Sequence, residues 1–176
     1  ILYNLIDIYS SNSTTITNHI LKDCITSFCI SHTQVMHTLI PAFASVVAAL
    51  HVTVSVDIGG FLIEHFVNSL YSELLKTQSS SDKGSDKGSD KGHELISDKA
   101  PMNYLLLILY MYNARVIHHI LLVDIVNLLV HNTSSAIVQF AHSSTGNTCN
   151  HPLTEMDCEC LVLVLSISGS YLRQDD

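Results

Sequence analysis

Cysteine and histidine side chains in the last third of the chain are of types that could hold a metal ion. Cys158 and Cys160 are separated by one residue, and Cys149 and His151 precede them. Zinc sites usually have a Cys-x2-4-Cys spacing, and helix positions two residues apart point in different directions. We therefore predict buried structural thiols here, with no metal site and no cofactor.

The chain has 11 histidines, which are candidates for acid–base chemistry. His118 and His119 are adjacent, and adjacent residues on a helix do not converge on one metal ion. His65 lies on the apolar stripe of a predicted helix, whereas its neighbour Glu64 faces elsewhere. We interpret these histidines as core or boundary residues.

Motifs for nucleophilic or phosphate chemistry do not occur in the sequence. There is no Gly-x-Ser-x-Gly elbow, phosphate-binding loop or His-Glu-x-x-His. The sequence shows no general base that could be matched to Cys24 or Cys29. Asp157 and Glu159 could form a carboxylate pair, but a helix start explains Asp157 more simply. The sequence therefore predicts a protein that is not an enzyme.

Composition and charge favour one helical domain that binds nucleic acid poorly. The 176 residues include 7 Gly, 3 Pro and no Trp, which are few turn residues for a barrel or sandwich. The formal charge is -8, and four of the 8 basic residues lie in one low-complexity loop. Because proteins hold nucleic acid mainly by neutralising phosphates, the remaining basic residues are too few for strong binding.

The cysteines and the first residues indicate an intracellular fragment. The five cysteines are scattered singly, and the chain opens inside a helical pattern without Met or a signal peptide. We expect reduced thiols and a piece of a longer protein. No uncharged apolar run reaches the ~20 residues of a transmembrane helix, so no membrane contact is predicted.

The stretch 102–130 is the apolar centre of the chain. It is too apolar for a surface helix, and residues such as Arg115 and Asp124 interrupt it too often for a membrane span. The pattern predicts two consecutive core helices that break near Tyr112 and Asn113.

Two helices are predicted near the start of the chain. The first ends near Tyr9, and Thr14 or Thr15 caps the second, because a hydroxyl accepts a hydrogen bond from a free N–H of the first turn. The predicted buried stripe of the second helix consists of Ile16, Ile20, Leu21, Cys24, Ile25 and Phe28.

A third helix is predicted over Val35–Val54, with a kink or restart at Pro41 because proline removes a ladder hydrogen bond. The alternative is a strand over His51–Ile58, where β-branched residues are concentrated. Asp57 is predicted to cap a fourth helix. The apolar stripe of that helix consists of Phe61, Leu62, His65, Phe66, Leu70 and Leu74.

Two polar segments separate these helices from the later ones. The segment 78–99 contains S-D-K-G three times in succession, and we predict a disordered insertion because the repeat has no apolar residue to bury. The second polar loop is 132–152. A short helical turn is possible there at Ile137, Val138 and Phe140.

The last helix is predicted to begin after Thr154, with Asp157 completing a capping box, and to end at Gly169. About seven helices result, each with one broad apolar face, which predicts an all-α fold. Antiparallel pairs stacked side by side would bury those faces in an α-solenoid. Periodicity alone leaves a plain helical bundle open.

Several passages together resemble one protein family. They are 39–51, 56–61, 64–65, 112–118, 121–125, 128–129, 153–159 and 168–176. The passage 153–159 with 168–176 is the most specific. These passages are similar to the middle domain of translation initiation factor 4G, in the form found in nucleolar proteins that pair it with an MA-type helical domain.

The resemblance implies a HEAT-type α-solenoid of antiparallel helix pairs. Residues 1–176 would form a partial middle domain with an insertion at about 78–99. It also implies a non-enzymatic scaffold that binds and stimulates a DEAD-box RNA helicase of the initiation-factor-4A type. The implied setting is small ribosomal subunit biogenesis in the nucleus and nucleolus. Contact with pre-ribosomal RNA or the pre-ribosomal particle would be indirect, and no small-molecule substrate is implied.

Four residues at turns of the matched passages are predicted to lie near a partner surface: Asn113, Arg115, Arg173 and Asp175. Helix capping and solvated helix ends are the alternative explanation for them. One alternative function is a direct RNA-binding helical-repeat module, which needs a basic stripe and would lose affinity steeply with salt. Another is a splicing or translation member of the same middle-domain superfamily.

Overall fold

The computed structural model describes residues 2–81, 98–131 and 153–174 of the chain. Within these ranges every regular element is an α-helix, which confirms the predicted all-α class. The helices are α1 (Leu2–Ser11), α2 (Thr14–Cys29), α3 (Ile40–Thr53), α4 (Val56–Ser81), α5 (Ala100–Asn113), α6 (His119–His131) and α7 (Glu155–Leu172). None of these described helices is long and apolar enough to cross a membrane.

Helix α5 is the centre of the core and packs against α3, α4, α6 and α7. Its sequence is apolar on all sides, and such a helix needs neighbours all round it. Leu105, Leu106, Leu107 and Ile108 span a full turn and have no exposed surface. The predicted central position of this stretch is confirmed. The predicted break is confirmed as well, because α5 ends at Asn113.

The other helices also contact one another. Helices α3 and α4 contact each other as well as α5, α1 contacts α2 and α3, α2 contacts α4, and α6 contacts α7. Gly59 lets α4 start close to the end of α3, since a Cβ at this position would collide with the imidazole ring of His51. Among the helices of the described ranges, the principal contacts therefore join those that are one or two apart in this order.

Helix α3 begins later than predicted. The prediction places a helix over Val35–Val54, but α3 starts at Ile40, with Pro41 in its first turn. Proline is favoured there, because the N–H that it lacks would have no partner and its fixed φ suits a helix start. The predicted restart at Pro41 is therefore confirmed, but the helix before it is wrong. The alternative strand over His51–Ile58 is also wrong, since α3 and α4 occupy most of that range.

Hydroxyl groups stand at the starts of α4 and α7. Thr154 accepts a hydrogen bond from the Asp157 N–H (3.2 Å), and the Asp157 carboxylate accepts one from the Thr154 N–H (3.0 Å). This reciprocal pair confirms the predicted capping box. At α4 the hydroxyl of Ser55 accepts the N–H of Asp57 (3.1 Å). The predicted cap at Asp57 is therefore wrong, because the residue already lies inside the helix.

The ends of α5 and α7 differ from the expectation that a glycine terminates a helix. Gly169 is predicted to end α7, yet it lies inside the helix. The left-handed backbone that glycine favours occurs at Arg115, whose φ is 63°. The N–H of Arg115 donates to the Tyr112 carbonyl (2.9 Å) and that of Val116 to the Met111 carbonyl (3.0 Å). These two bonds form the Schellman pattern that terminates a helix.

Only the two ends of the predicted insertion 78–99 lie among the described residues. Helix α4 extends to Ser81, so the first residues of the predicted insertion 78–99 are helical, and Asp98 and Lys99 are held by hydrogen bonds. Residues 82–97, which include nearly all of the S-D-K-G repeat, lie outside the described residues. So do residues 132–152, with the helical turn predicted at Ile137, Val138 and Phe140.

Candidate functional site

Asn113 fastens the end of α5 to α7. Its Nδ2 donates to the carbonyl of Ile167 (3.0 Å), and its Oδ1 accepts a hydrogen bond from the hydroxyl of Ser168 (2.9 Å). Ser168 has no exposed surface, so this contact lies inside the packing of the two helices. Asn113, predicted to lie near a partner surface, thus has a structural role, and it fixes the two helix ends relative to each other.

Arg115 and Arg173 lie at the end of the molecule that this bridge defines. Arg115 follows Asn113 by two residues and is exposed, and Arg173 directly follows α7 and is exposed as well. A guanidinium group binds carboxylates and phosphates with a fixed fork of N–H donors, so these side chains suit an acidic partner surface. Asp175, the fourth predicted residue, lies outside the described residues.

The lysines whose side chains the structure describes all pair with carboxylates. The pairs are Lys22 with Asp23 (2.7 Å), Lys76 with Glu73 (2.7 Å) and Lys99 with Glu159 (2.8 Å). In each pair the carboxylate offsets the positive charge of the lysine, and the formal charge of the chain is -8. The described lysines therefore do not form the basic stripe that a phosphate backbone requires.

The opposite end of α5 carries a buried asparagine that we did not predict. Asn103 has no exposed surface. Its Oδ1 accepts the N–H of Met36 (2.8 Å), and its Nδ2 donates to the carbonyls of Ser31 (2.8 Å) and Gln34 (2.9 Å). These bonds anchor the connection between α2 and α3 to α5. The signal in the sequence is one amide within an apolar helix, since a buried polar group needs partners.

A His–Asp contact strengthens the same anchor. His32 Nδ1 lies 2.9 Å and 3.0 Å from the two carboxylate oxygens of Asp98, and the His32 carbonyl accepts the N–H of Lys99 (3.0 Å). Asp98 also accepts the N–H of Ala100 (2.9 Å) at the start of α5, where the helix dipole favours a negative charge. These contacts position the chain that leads into the central helix.

His118 and His119 contact each other, although adjacent helical residues are expected to diverge. His118 precedes α6 and His119 begins it, so a single helix does not fix both side chains. Their ring centroids are 4.1 Å apart and the rings are tilted by 39°. No group of three or more possible metal ligands occurs among the residues of the described ranges.

Cys158 and Cys160 occupy different environments. Cys160 has no exposed surface, and burial raises the pKa of its thiol to about 12. Burial also raises the pKa of Cys29 to about 12. Such thiols stay protonated near neutral pH and are poor nucleophiles. Cys158 is exposed, so the predicted burial of both thiols is wrong for it, and Cys149 and His151 lie outside the described residues.

His65 is a boundary residue between α2 and α4, as predicted. Burial lowers the pKa of its half-buried imidazole, the positive charge of Lys22 lowers it further, and Asp23 opposes the shift. His19 of α2 contacts Phe61 of α4, with 5.0 Å between the ring centroids. This cluster of titratable groups lies where α2 packs against α4.

Helix α2 buries only part of the predicted stripe, and the burial of Leu21 and Ile25 is confirmed. It begins at Thr14, so the predicted cap at Thr14 or Thr15 is wrong. Leu21, Ile25 and Cys29 are buried as the core side of the helix. Three members of the predicted buried stripe are exposed instead, namely Ile16, Ile20 and Phe28.

Helix α7 has a second apolar face opposite its buried one. The buried face contains Met156, Cys160, Leu163 and Val164. We call the opposite set the outer stripe, and it consists of Cys158, Val162, Leu165 and Gly169. Val162 is 65% exposed and Leu165 is 70% exposed. A helix that is apolar on both faces is typically covered on both.

The candidate site is the end of the molecule where Asn113 joins α5 to α7 and where Arg115 and Arg173 are exposed. Guanidinium groups exposed at helix ends suit the binding of acidic groups. Comparisons of the chain with protein-family models, with curated proteins and with solved structures find no match.

Proposed function

We propose that the protein is a non-enzymatic scaffold with a HEAT-type α-solenoid fold, which binds and stimulates a DEAD-box RNA helicase of the initiation-factor-4A type. The resemblance to the initiation-factor-4G middle domain supplies the partner, the role in small ribosomal subunit biogenesis and the nucleolar location. The order and direction of the helices are the structural observation that supports the proposal.

Helices α4 and α5 run in opposite directions. Gly59, near the start of α4, lies against Val116, just beyond the end of α5. Phe66, further along α4, meets Tyr104 near the start of α5, with 6.5 Å between ring centroids. Neighbouring helices that run antiparallel are the first requirement of a helix-pair stack.

Helices α5 and α7 run in the same direction. Lys99, just before α5, pairs with Glu159 in the first part of α7, and Asn113, at the end of α5, bonds to Ile167 near the end of α7. Antiparallel contact between α4 and α5 and parallel contact between α5 and α7 are compatible with stacked helix pairs. A closed bundle would bring the first and last helices together, yet the principal contacts between the described helices do not include α1 with α7.

A rigid stack suits a clamp on a helicase with two lobes. A scaffold shifts an open–closed equilibrium only by binding one state more tightly than the other, and this requires contact points at fixed separation. Arg115 and Arg173 lie at the ends of α5 and α7, and the Asn113 bridge fixes those ends relative to each other. These two arginines are the proposed contacts with acidic groups of the helicase.

Capture of initiation-factor-4A-type helicases by the purified chain, with and without an ATP analogue and RNA, tests this proposal. Nucleotide-dependent capture should be lost in the double variant Arg115→Ala/Arg173→Ala. It should persist in Lys22→Ala/Lys76→Ala, which also removes two cations. Absence of capture, by a chain that circular dichroism shows to be helical and cooperative, rejects the helicase partner. RNA binding with a steep salt dependence would favour the RNA-binding module instead.

A further inference from the structure

The outer stripe of α7 is self-complementary. Its members are spaced four, three and four residues apart, so the spacing reads the same from either end. Steps of three and four residues keep a stripe on one side of a helix. When a second α7 packs against the first in the opposite direction, about a two-fold axis, Val162 faces the partner's Leu165 and Cys158 faces the partner's Gly169.

The sizes of these side chains suit close packing of two helices. The larger residues, Val162 and Leu165, occupy the middle of the stripe, and the small residues Cys158 and Gly169 occupy its ends. A Cβ at Gly169 would meet no atom of the described residues within 4 Å. Space therefore remains at this position for a side chain from a second molecule.

Charges at the two ends of α7 match the same arrangement. Glu155 lies in the first turn and Arg173 directly follows the last, and both are exposed. At 3.6 residues per turn, both fall on the side of the outer stripe, at distances from its midpoint that agree to within one residue. Antiparallel pairing therefore puts Glu155 opposite the partner's Arg173 at both ends. Parallel pairing would put like charges together, which is unfavourable.

We propose that the outer stripe of α7 is a homodimer interface, in which a second copy of this chain packs its own α7 antiparallel to the first. An apolar strip bounded by charged residues is the anatomy of a protein contact, and a two-fold contact uses the same patch on both subunits. One helix pair buries less than the roughly 1,600 Å² of a standard interface, so dimerisation is weak and concentration-dependent. This inference goes beyond helicase binding and does not depend on it. Because both contacts use Arg173, the second copy and the helicase compete for that residue.

Sedimentation velocity of the purified chain over a range of concentrations is the first test. The wild-type chain should shift from monomer to dimer as its concentration rises, and Leu165→Glu should stay monomeric. Val52→Glu is the matched control, because Val52 is 82% exposed on α3, away from the stripe, and this variant should dimerise like the wild type. A wild-type chain that is monomeric at every concentration, or a Leu165→Glu chain that dimerises normally, overturns the proposal.

Charge reversal tests the antiparallel register separately. Glu155→Arg or Arg173→Glu alone sets like charges opposite each other at both ends and should weaken dimerisation by about tenfold. The double variant Glu155→Arg/Arg173→Glu restores opposite charges and should recover it. Each reversal is unfavourable to the helix dipole, so recovery in the double variant cannot come from a more stable helix. Failure to recover overturns the antiparallel register.

Disulfide trapping identifies the facing residues. In Gly169→Cys, mild oxidation should link Cys158 of one copy to the introduced thiol of the other, as mass spectrometry of the linked peptides will show. Ser170→Cys is the matched control, because the next position along the helix is rotated away from the stripe, and it should give little of this product. Equal trapping in both variants overturns the proposed pairing.

Discussion

The hydroxyl of Ser168 donates a hydrogen bond to Oδ1 of Asn113 over 2.9 Å, and this bond couples the ends of α5 and α7. The same amide donates from Nδ2 to the carbonyl of Ile167 (3.0 Å). Ser168 has no exposed surface. The geometry of the two arginines proposed to contact a helicase therefore depends on the two hydrogen bonds of the Asn113 amide.

Asn113→Ala should destabilise the fold by about 1–3 kcal/mol, because it removes two hydrogen bonds and leaves the buried Ser168 hydroxyl without its acceptor. Urea unfolding followed by circular dichroism measures this change. Ser168→Ala should cost less, and the double variant should cost less than the sum of the two, since the residues share one bond. Strictly additive costs would show that the bond does not couple the helices.

Asn103→Ala should be among the most damaging single changes in the chain, at about 2–4 kcal/mol. It leaves the N–H of Met36 and the carbonyls of Ser31 and Gln34 without their side-chain partner at a fully buried position. Asn127→Ala removes an exposed asparagine from α6 and is the matched control, with a change within about 0.5 kcal/mol. Similar unfolding midpoints for the two variants would contradict the anchoring role.

Arg115→Gly should raise the free energy of unfolding by roughly 0.5–1 kcal/mol. The φ of 63° is strained for an arginine and ordinary for glycine, although the greater freedom of glycine in the unfolded chain offsets part of the gain. Arg173 has a φ of -66°, so Arg173→Gly relieves no such strain and should bring no gain. Thermal unfolding of both variants measures the difference. A loss of stability in Arg115→Gly would show that the side chain contributes more than its backbone strain costs.

The features that follow from local chemistry could be predicted from the sequence. Thr154 and Asp157 form their capping box because both partners lie within one turn. The apolar run before Asn113 becomes the central helix because it has no polar side to expose. The restart at Pro41 follows from the missing N–H of proline. Each of these outcomes depends on a few adjacent residues.

The features that depend on distant packing could not be predicted in the same way. Helix α2 is apolar on more than one side, and contact with α4 decides that Leu21 and Ile25 are buried while Ile16 and Ile20 are exposed. At the candidate site, the sequence identified Asn113 but not its role. Its partner Ser168 is more than fifty residues away, and only the packing of α7 on α5 brings the two together.

Protonation of His65 should weaken the fold below neutral pH. Burial lowers the pKa of this histidine below its ordinary value of 6.5, so the unfolded chain takes up a proton first as the pH falls. The contribution of the neutral His65 side chain to stability is therefore complete above pH 6.5. This contribution is lost as the pH falls from 6.5 through the lowered pKa of the folded state. One proton corresponds to at most about 1.4 kcal/mol per pH unit.

The difference between the wild type and His65→Gln isolates this effect from the other titrating groups. Urea unfolding of both proteins between pH 7.5 and pH 5 should show the wild type losing more stability than His65→Gln as the pH falls, because glutamine has no proton to take up. Lys22 favours the neutral imidazole and Asp23 the charged one. Lys22→Ala should therefore reduce the pH dependence, whereas Asp23→Ala should increase it. Parallel curves for the wild type and His65→Gln would show that the acid sensitivity of the fold comes from residues other than His65.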